Sequence, residues 1–220
     1  NNELYDQIDA QLTTEVFGLL APARADVALE MADLPVRTVA AEEAEQAAKF
    51  YVIMHSLASY VDPALPIKDR VFWLAEEARS WVPDDSWVAD MYDWVKAEYE
   101  ANPDRDDWES TRDALHHRYI EATTAGYTMR NWFDAGINFG GSLVSLFYGE
   151  GDLRRTVRIG TLTGWDSDNP TATWGGLIGF MIGHQGVVDA FGVELSDAYR
   201  ISDRRHAFVL TSAPPHVLRW

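Results

Sequence analysis

Cysteine is absent from all 220 residues, which excludes disulfides, a thiolate nucleophile and zinc held by sulfur. The absence fits cytosolic and secreted spaces equally well, so compartment stays open. Long apolar runs are missing too. The best candidate, Ala172 to Gly183, is interrupted by glycine and falls short of the ~20 residues of a membrane span. Basic residues are scarce: 18 Lys and Arg stand against 35 Asp and Glu, a formal net charge of -17. Such a field repels phosphate backbones and anionic headgroups, so neither nucleic acid nor a membrane surface is an expected partner. A small phosphate-bearing ligand would need a local cation or a helix N-terminus to neutralise it. There is no initiator Met and no basic-then-apolar leader at Asn1-Asn2-Glu3, which predicts a processed or fragmentary product.

What is present is helical period. With 47% hydrophobic and 24% charged residues, the chain can bury a sizeable core, and without repeats or linkers residues 1–220 read as one domain. Ala47, Phe50, Tyr51, Met54, Leu57, Ala58 and Val61 step by three and four, predicting a helix from about Ala40. Val71 to Trp81 predicts another, ended by Pro83. Trp87 to Val95 predicts a third, capped by Asp84, Asp85 and Ser86 and stopping before Pro103. Trp108 to Tyr119, Ile137 to Phe147 and Leu153 to Leu162 continue the pattern. Only Ala207 to Leu210 has a β-like run, so an all-α fold, a compact multi-helix bundle, is expected.

The most informative stretch is a polar, acidic turn, Gly164-Trp165-Asp166-Ser167-Asp168-Asn169-Pro170, feeding an apolar helix. Asn169 suits the N-cap and Pro170 the first helical position. Gly175, Gly179 and Gly183 recur on one face, which predicts close approach of another helix and a buried central segment. Two carboxylates at the mouth of a buried helix are costly unless a cation accompanies them, and oxygen-only ligands favour magnesium, calcium or manganese. Capping and compensation of the helix dipole is the competing explanation of an Asp-x-Asp turn. An EF-hand does not fit, because Pro170 and Leu177 occupy positions that need an oxygen ligand and a bidentate Glu.

Other residues carry weaker signals. Asn138 and Ser142 lie one helical turn apart, so they share a face and either meet the acidic turn or form a core polar pair. Trp165 either covers a sugar or base face or fills a core gap. Arg37, after a Leu-Pro boundary, reads as a surface arginine, and Glu15 as helix entry with a remote claim to activating water. His116 and His117 are adjacent and so should point to different sides of a helix, which argues against joint ligation. His55 and His184 are isolated and read as structural.

Three stretches carry a family resemblance: Asn138-Phe139-Gly140-Gly141-Ser142-Leu143, Gly149-Glu150-Gly151-Asp152-Leu153, and the run from Asp166 to Gly179. Together they resemble the closing motif series of ADP-ribosylglycohydrolases. Thr14 to Pro22 and Ala28 to Ala32 resemble the middle of bacterial and fungal branches, so the likeness spans most of residues 13–185. The resemblance implies a mostly helical hydrolase of a ribosyl or ADP-ribose-like glycosidic bond, with two Mg2+ ions between an early Thr-Asp-Asp and a late Asp-x-Asp-Thr cluster. It assigns Asp166 and Asp168 to metal and catalysis and Asn169 to the metal in place of the usual Thr, while Asn138, Ser142 and Trp165, by their positions near that turn, are the candidate substrate contacts. No Thr precedes Asp84-Asp85 or Asp106-Asp107, so the chain reads as the C-terminal portion of the domain. A second chain supplying the N-terminal half is the partner this implies. The alternative is a non-catalytic binding subunit that retains the fold. A glycosyltransferase using its Asp-x-Asp lacks the alternating strands it would need.

Overall fold

The structure is a computed structural model that describes residues 3–196. It is built from helices: α1 (Asp9–Thr14), α2 (Val16–Leu20), α3 (Ala25–Val39), α4 (Glu42–Leu57), α5 (Ile67–Arg79), α6 (Trp87–Ala101), α7 (Trp108–His116), α8 (Ala135–Gly149), α9 (Leu153–Leu162) and α10 (Asp168–Phe191). Among the described residues there is no strand, only an isolated bridge between Gln7 and Asp134. The β-like run at Ala207 to Leu210 lies outside them. No helix among the described residues is long and apolar enough to cross a membrane.

The centre of the bundle is α8, every residue of which is buried; α4, α6, α7, α9 and α10 pack around it. Its glycines make this possible. A Cβ on Gly140 would come within 2.8 Å of Leu115 and Met91, and one on Gly141 within 2.9 Å of Thr163, so α7, α6 and the end of α9 close directly on the α8 backbone. Aromatic rings fill the space between: Phe50, Tyr51 and Phe139 meet edge to face, and Trp174 lies 5.2 Å from Tyr51.

The glycines of α10 do something else. A Cβ on Gly175 would meet only Val157 at 3.7 Å, and one on Gly176 or Gly183 would meet nothing. They are not a close-packing face. Only the first half of α10 is buried, up to Ile178, and the helix breaks at Gly183 with φ 73, leaving Phe180 50% exposed. The buried inner helix expected around Gly175, Gly179 and Gly183 is α8 instead, because Trp174, Leu177 and Ile178 are the last α10 side chains to be fully buried.

Local chemistry sets the helix starts. Ser86 caps α6 by accepting the Ala89 N–H at 3.1 Å, as expected, and Asp107 caps α7 through Ser110 N. Pro35 sits inside α3 rather than at a boundary, and Arg37 pairs on the surface with Asp33 at 3.5 Å. Beyond α7 the chain widens into a π turn, His117–Glu121, closed by Ala122 N to His117 O.

Candidate active site

The acidic turn is the link between α9 and α10. Gly164 (φ 101) and Trp165 (φ 54) are both left-handed and turn the chain sharply. The Trp165 ring then lies over Gly141, whose added Cβ would sit 3.5 Å from it. Asp166 follows, and its N–H donates to Asn138 Oδ1 at 2.9 Å. Asn138 is oriented in turn, because its Nδ2 donates to the carbonyls of Trp132 (3.0 Å) and Asp134 (2.9 Å). The structure thus brings Asn138 to the turn by way of the backbone.

The start of α10 differs from expectation. The helix begins at Asp168 with Ser167 before it, and no side chain caps it. Asn169 is one residue inside, 4% exposed, and is therefore free of capping. Its Oδ1 accepts from Thr173 Oγ1 at 3.1 Å, while its Nδ2 has no protein partner. To offer oxygen to a cation, this amide would have to turn over.

Electrostatics single out the two aspartates. Burial, then the Asp168 carboxyl within hydrogen-bonding reach, and then the more distant Asp9 of α1, hold the Asp166 carboxyl above its ordinary range. Asp168 is exposed and Asp166 half-buried. Two like charges pressed together are a donor set that a divalent cation relieves, and carboxylate oxygens suit a hard one. Among the described residues no three His, Asp or Glu side chains converge to hold an ion. The turn therefore offers two ligands, and Asp9 adds field.

Glu15 is the residue that sequence reasoning undervalued. It stands between α1 and α2, and Gly18 explains its depth: a Cβ there would come within 2.7 Å of His55 and Ser56, so α2 lies directly on α4. Burial pushes the Glu15 carboxyl up to about 7, only partly offset by a hydrogen bond with Thr173. Its Oε2 is buried without a partner. The Thr173 hydroxyl has a single hydrogen. Directed at Asn169 Oδ1, it leaves lone pairs for a protonated Glu15; directed at a charged Glu15, it needs an N–H from Asn169. The three side chains form one chain of proton positions running back to the acidic turn.

The remaining residues fall into place around it. Ser142 is fully buried, shares a 2.6 Å hydrogen bond with Tyr51 Oη and donates to Phe139 O, while its carbonyl takes the Trp174 Nε1–H at 2.8 Å. It belongs to the core between α4, α8 and α10. His55 is buried, its Nδ1 against Tyr51 O, and burial depresses it to about 4. Asp84 accepts from Arg79 and Asp106 from Arg155, so both adjacent-aspartate pairs are engaged in turns and surface ion pairs. His116 and His117, expected to diverge, both reach Glu121, at 3.4 and 2.8 Å, because the π turn fits one more residue into the rotation. His116 also stacks on Trp165, a pairing across a long loop that no local pattern announces.

A family model described as ADP-ribosylglycohydrolase matches residues 3–212, a span that extends beyond the motif series on both sides. No curated protein and no solved structure matches the chain. A match over nearly the whole sequence, joined to an all-helical bundle that presents the Asp-x-Asp turn at its α9–α10 link, places the chain in the ADP-ribosylglycohydrolase family, as a hydrolase.

Proposed function

We propose that the protein hydrolyses the glycosidic bond of a ribosyl or ADP-ribosyl group, with Mg2+ held by Asp166 and Asp168. The observation that carries this reading is the pair of carboxylates held within reach of each other on a turn whose backbone Asn138 fixes. Bound there, the ion would supply Lewis-acid orientation of sugar hydroxyls and a more acidic water.

Hydrolysis replaces the bond from C1′ to nitrogen or oxygen with a bond to a water oxygen; the water loses one proton and the leaving group gains one. A carboxyl that titrates near neutrality is suited to accept the first, and Glu15 is that group. Thr173 and Asn169 connect it to the turn. Asp166, raised but exposed to its neighbour's charge, orients rather than stores a proton.

Calorimetric titration of Mg2+ into the wild type and Asp168→Asn tests the reading, alongside release of ADP-ribose from a modified peptide. Binding and hydrolysis in the wild type, both lost in the variant, are expected. Identical heats in the two proteins would overturn it.

A further inference from the structure

α9 concentrates positive charge where a helix least favours it. Arg154, Arg155 and Arg158 put three of the chain's 18 basic side chains into five residues, starting in the first turn, at the positive end of the helix dipole. Helix stability alone would place them at the other end. Their uses differ. Arg155 is fully employed: its Nε donates to Tyr148 O at 2.7 Å, its Nη2 to Arg105 O, and its Nη1 pairs with Asp106 at 3.0 Å. Arg154 and Arg158 are exposed, and neither side chain has an ion pair, hydrogen bond or ring contact among the described residues. Both open into one hollow of ≈ 580 Å³ between the end of α8, the start of α9 and Ala190 of α10. The carboxylates that share this hollow are already engaged. Glu150 serves Lys68, Tyr99 and Arg105, and Asp152 caps α9 by accepting the Arg155 N–H at 2.7 Å. Arg155 and Arg158 also line a second hollow of ≈ 340 Å³, together with Trp108 and Ile159.

We infer that this groove binds a small phosphate ester, its phosphoryl dianion held between Arg154 and Arg158 and its organic part lying towards Trp108 and Ile159. Four residues apart, the two arginines stand about 6 Å from each other on one helix face, a spacing that two guanidinium forks can close over a single anion. A carboxylate has two oxygens and is satisfied by one fork; a phosphoryl group has three and takes both. The overall charge of -17 opposes anion binding, so a phosphoryl group needs local cations and a helix N-terminus, and the entrance of α9 supplies both. The acidic turn lies at the opposite end of α9, about 15 Å away along the helix. The ester site is therefore separate from it and independent of the hydrolase reading.

Calorimetric titration of the full chain with glycerol phosphate, at low ionic strength and with glycerol as the control, is the test. Saturable binding of the ester and none of glycerol is expected. Affinity should fall about tenfold in Arg158→Gln and about a hundredfold when Arg154→Gln is added; both side chains lie on the surface, so the fold is kept. Arg37→Gln, which removes a surface arginine elsewhere, should bind as the wild type does. Binding should tighten from about pH 5 to about pH 8, because the ester loses its second proton near pH 6, and the double variant should lose that dependence. A phosphoserine peptide, the other source of the same group, should bind more weakly, since its flanking chain has to fit the same hollows; tighter binding than the ester's would overturn the assignment to a small molecule. Asp168→Asn should bind the ester like the wild type, and loss there would move the anion to the acidic turn and overturn the proposal. Equal affinity in the wild type and the double variant, or no saturable binding at millimolar ester, would overturn it as well.

Discussion

Replacing Glu15 by glutamine isolates the cost of burying one carboxyl without changing its shape. In the folded chain burial pushes this group up to about 7, against 4.5 for a free glutamate. Its folded value is raised, so the stability it contributes is full below pH 4.5 and is lost as pH climbs to about 7. Above both values the charged, buried form costs the fold about 3 kcal/mol relative to acid conditions. Glutamine keeps the volume and can hydrogen-bond Thr173, yet never ionises. For a chain of this size that difference is worth roughly 6–12 °C in Tm. Differential scanning calorimetry of the two proteins should therefore show near-equal melting at about pH 4, below the free value, and a more stable Glu15→Gln variant at about pH 8.5. The same variant should lose the limb near pH 7 from its pH–rate profile. A Tm difference that does not change between the two pH values would refute the assignment of Glu15 as a buried, late-titrating acid.

Two other perturbations follow from the geometry. Asn138→Ala removes one acceptor and two donated bonds at once, leaving the Asp166 N–H and the Trp132 carbonyl unserved and the Asp134 carbonyl with only the backbone N–H of residue 138. Urea unfolding should show a loss of about 1–3 kcal/mol and hydrogen exchange a faster Asp166 amide; unchanged exchange there would disprove the anchoring. His55 is held neutral by burial and depressed to about 4, so it destabilises the fold as pH falls from its ordinary 6.5 through that value. His55→Phe should unfold at lower pH than the wild type when acid titration is followed by circular dichroism, and coincident curves would count against a neutral buried ring.

The helices were legible in the sequence because their faces repeat: Val71, Leu74, Ala75 and Ala78 are all buried on α5, and Leu115 and Tyr119 continue α7 inward. Ser86 was legible as a cap for the same local reason. The start of α10 was not, since Ser167, Asp168 and Asn169 are all competent at a helix entrance and tertiary contacts decide among them. The glycines misled in a similar way. A four-residue repeat of glycine states that a helix can be approached, and only packing tells which one is; here it is α8, through Gly140 and Gly141, rather than α10. At the site, Asp166 and Asp168 stood out as neighbours in sequence. Glu15 and His116 did not, because each acquires its environment from a segment far along the chain, Thr173 for one and Trp165 for the other.

The π turn at His117–Glu121 holds one more residue than an α-helical turn needs. An extra residue inside a regular helix would rotate everything after it by about 100°, yet Leu115 before the turn and Tyr119 within it both still face inward. The π turn ends the helix, closed by Ala122 N–H on His117 O, so the widening is confined to its last turn. Deleting a single residue there would restore an ordinary spiral, separate the two imidazoles from their shared carboxylate, and swing Tyr119 away from Asp90, to which its hydroxyl donates at 2.6 Å. A length change of one residue, with no change in side-chain chemistry, would thus re-aim the side chains that stand beside the acidic turn.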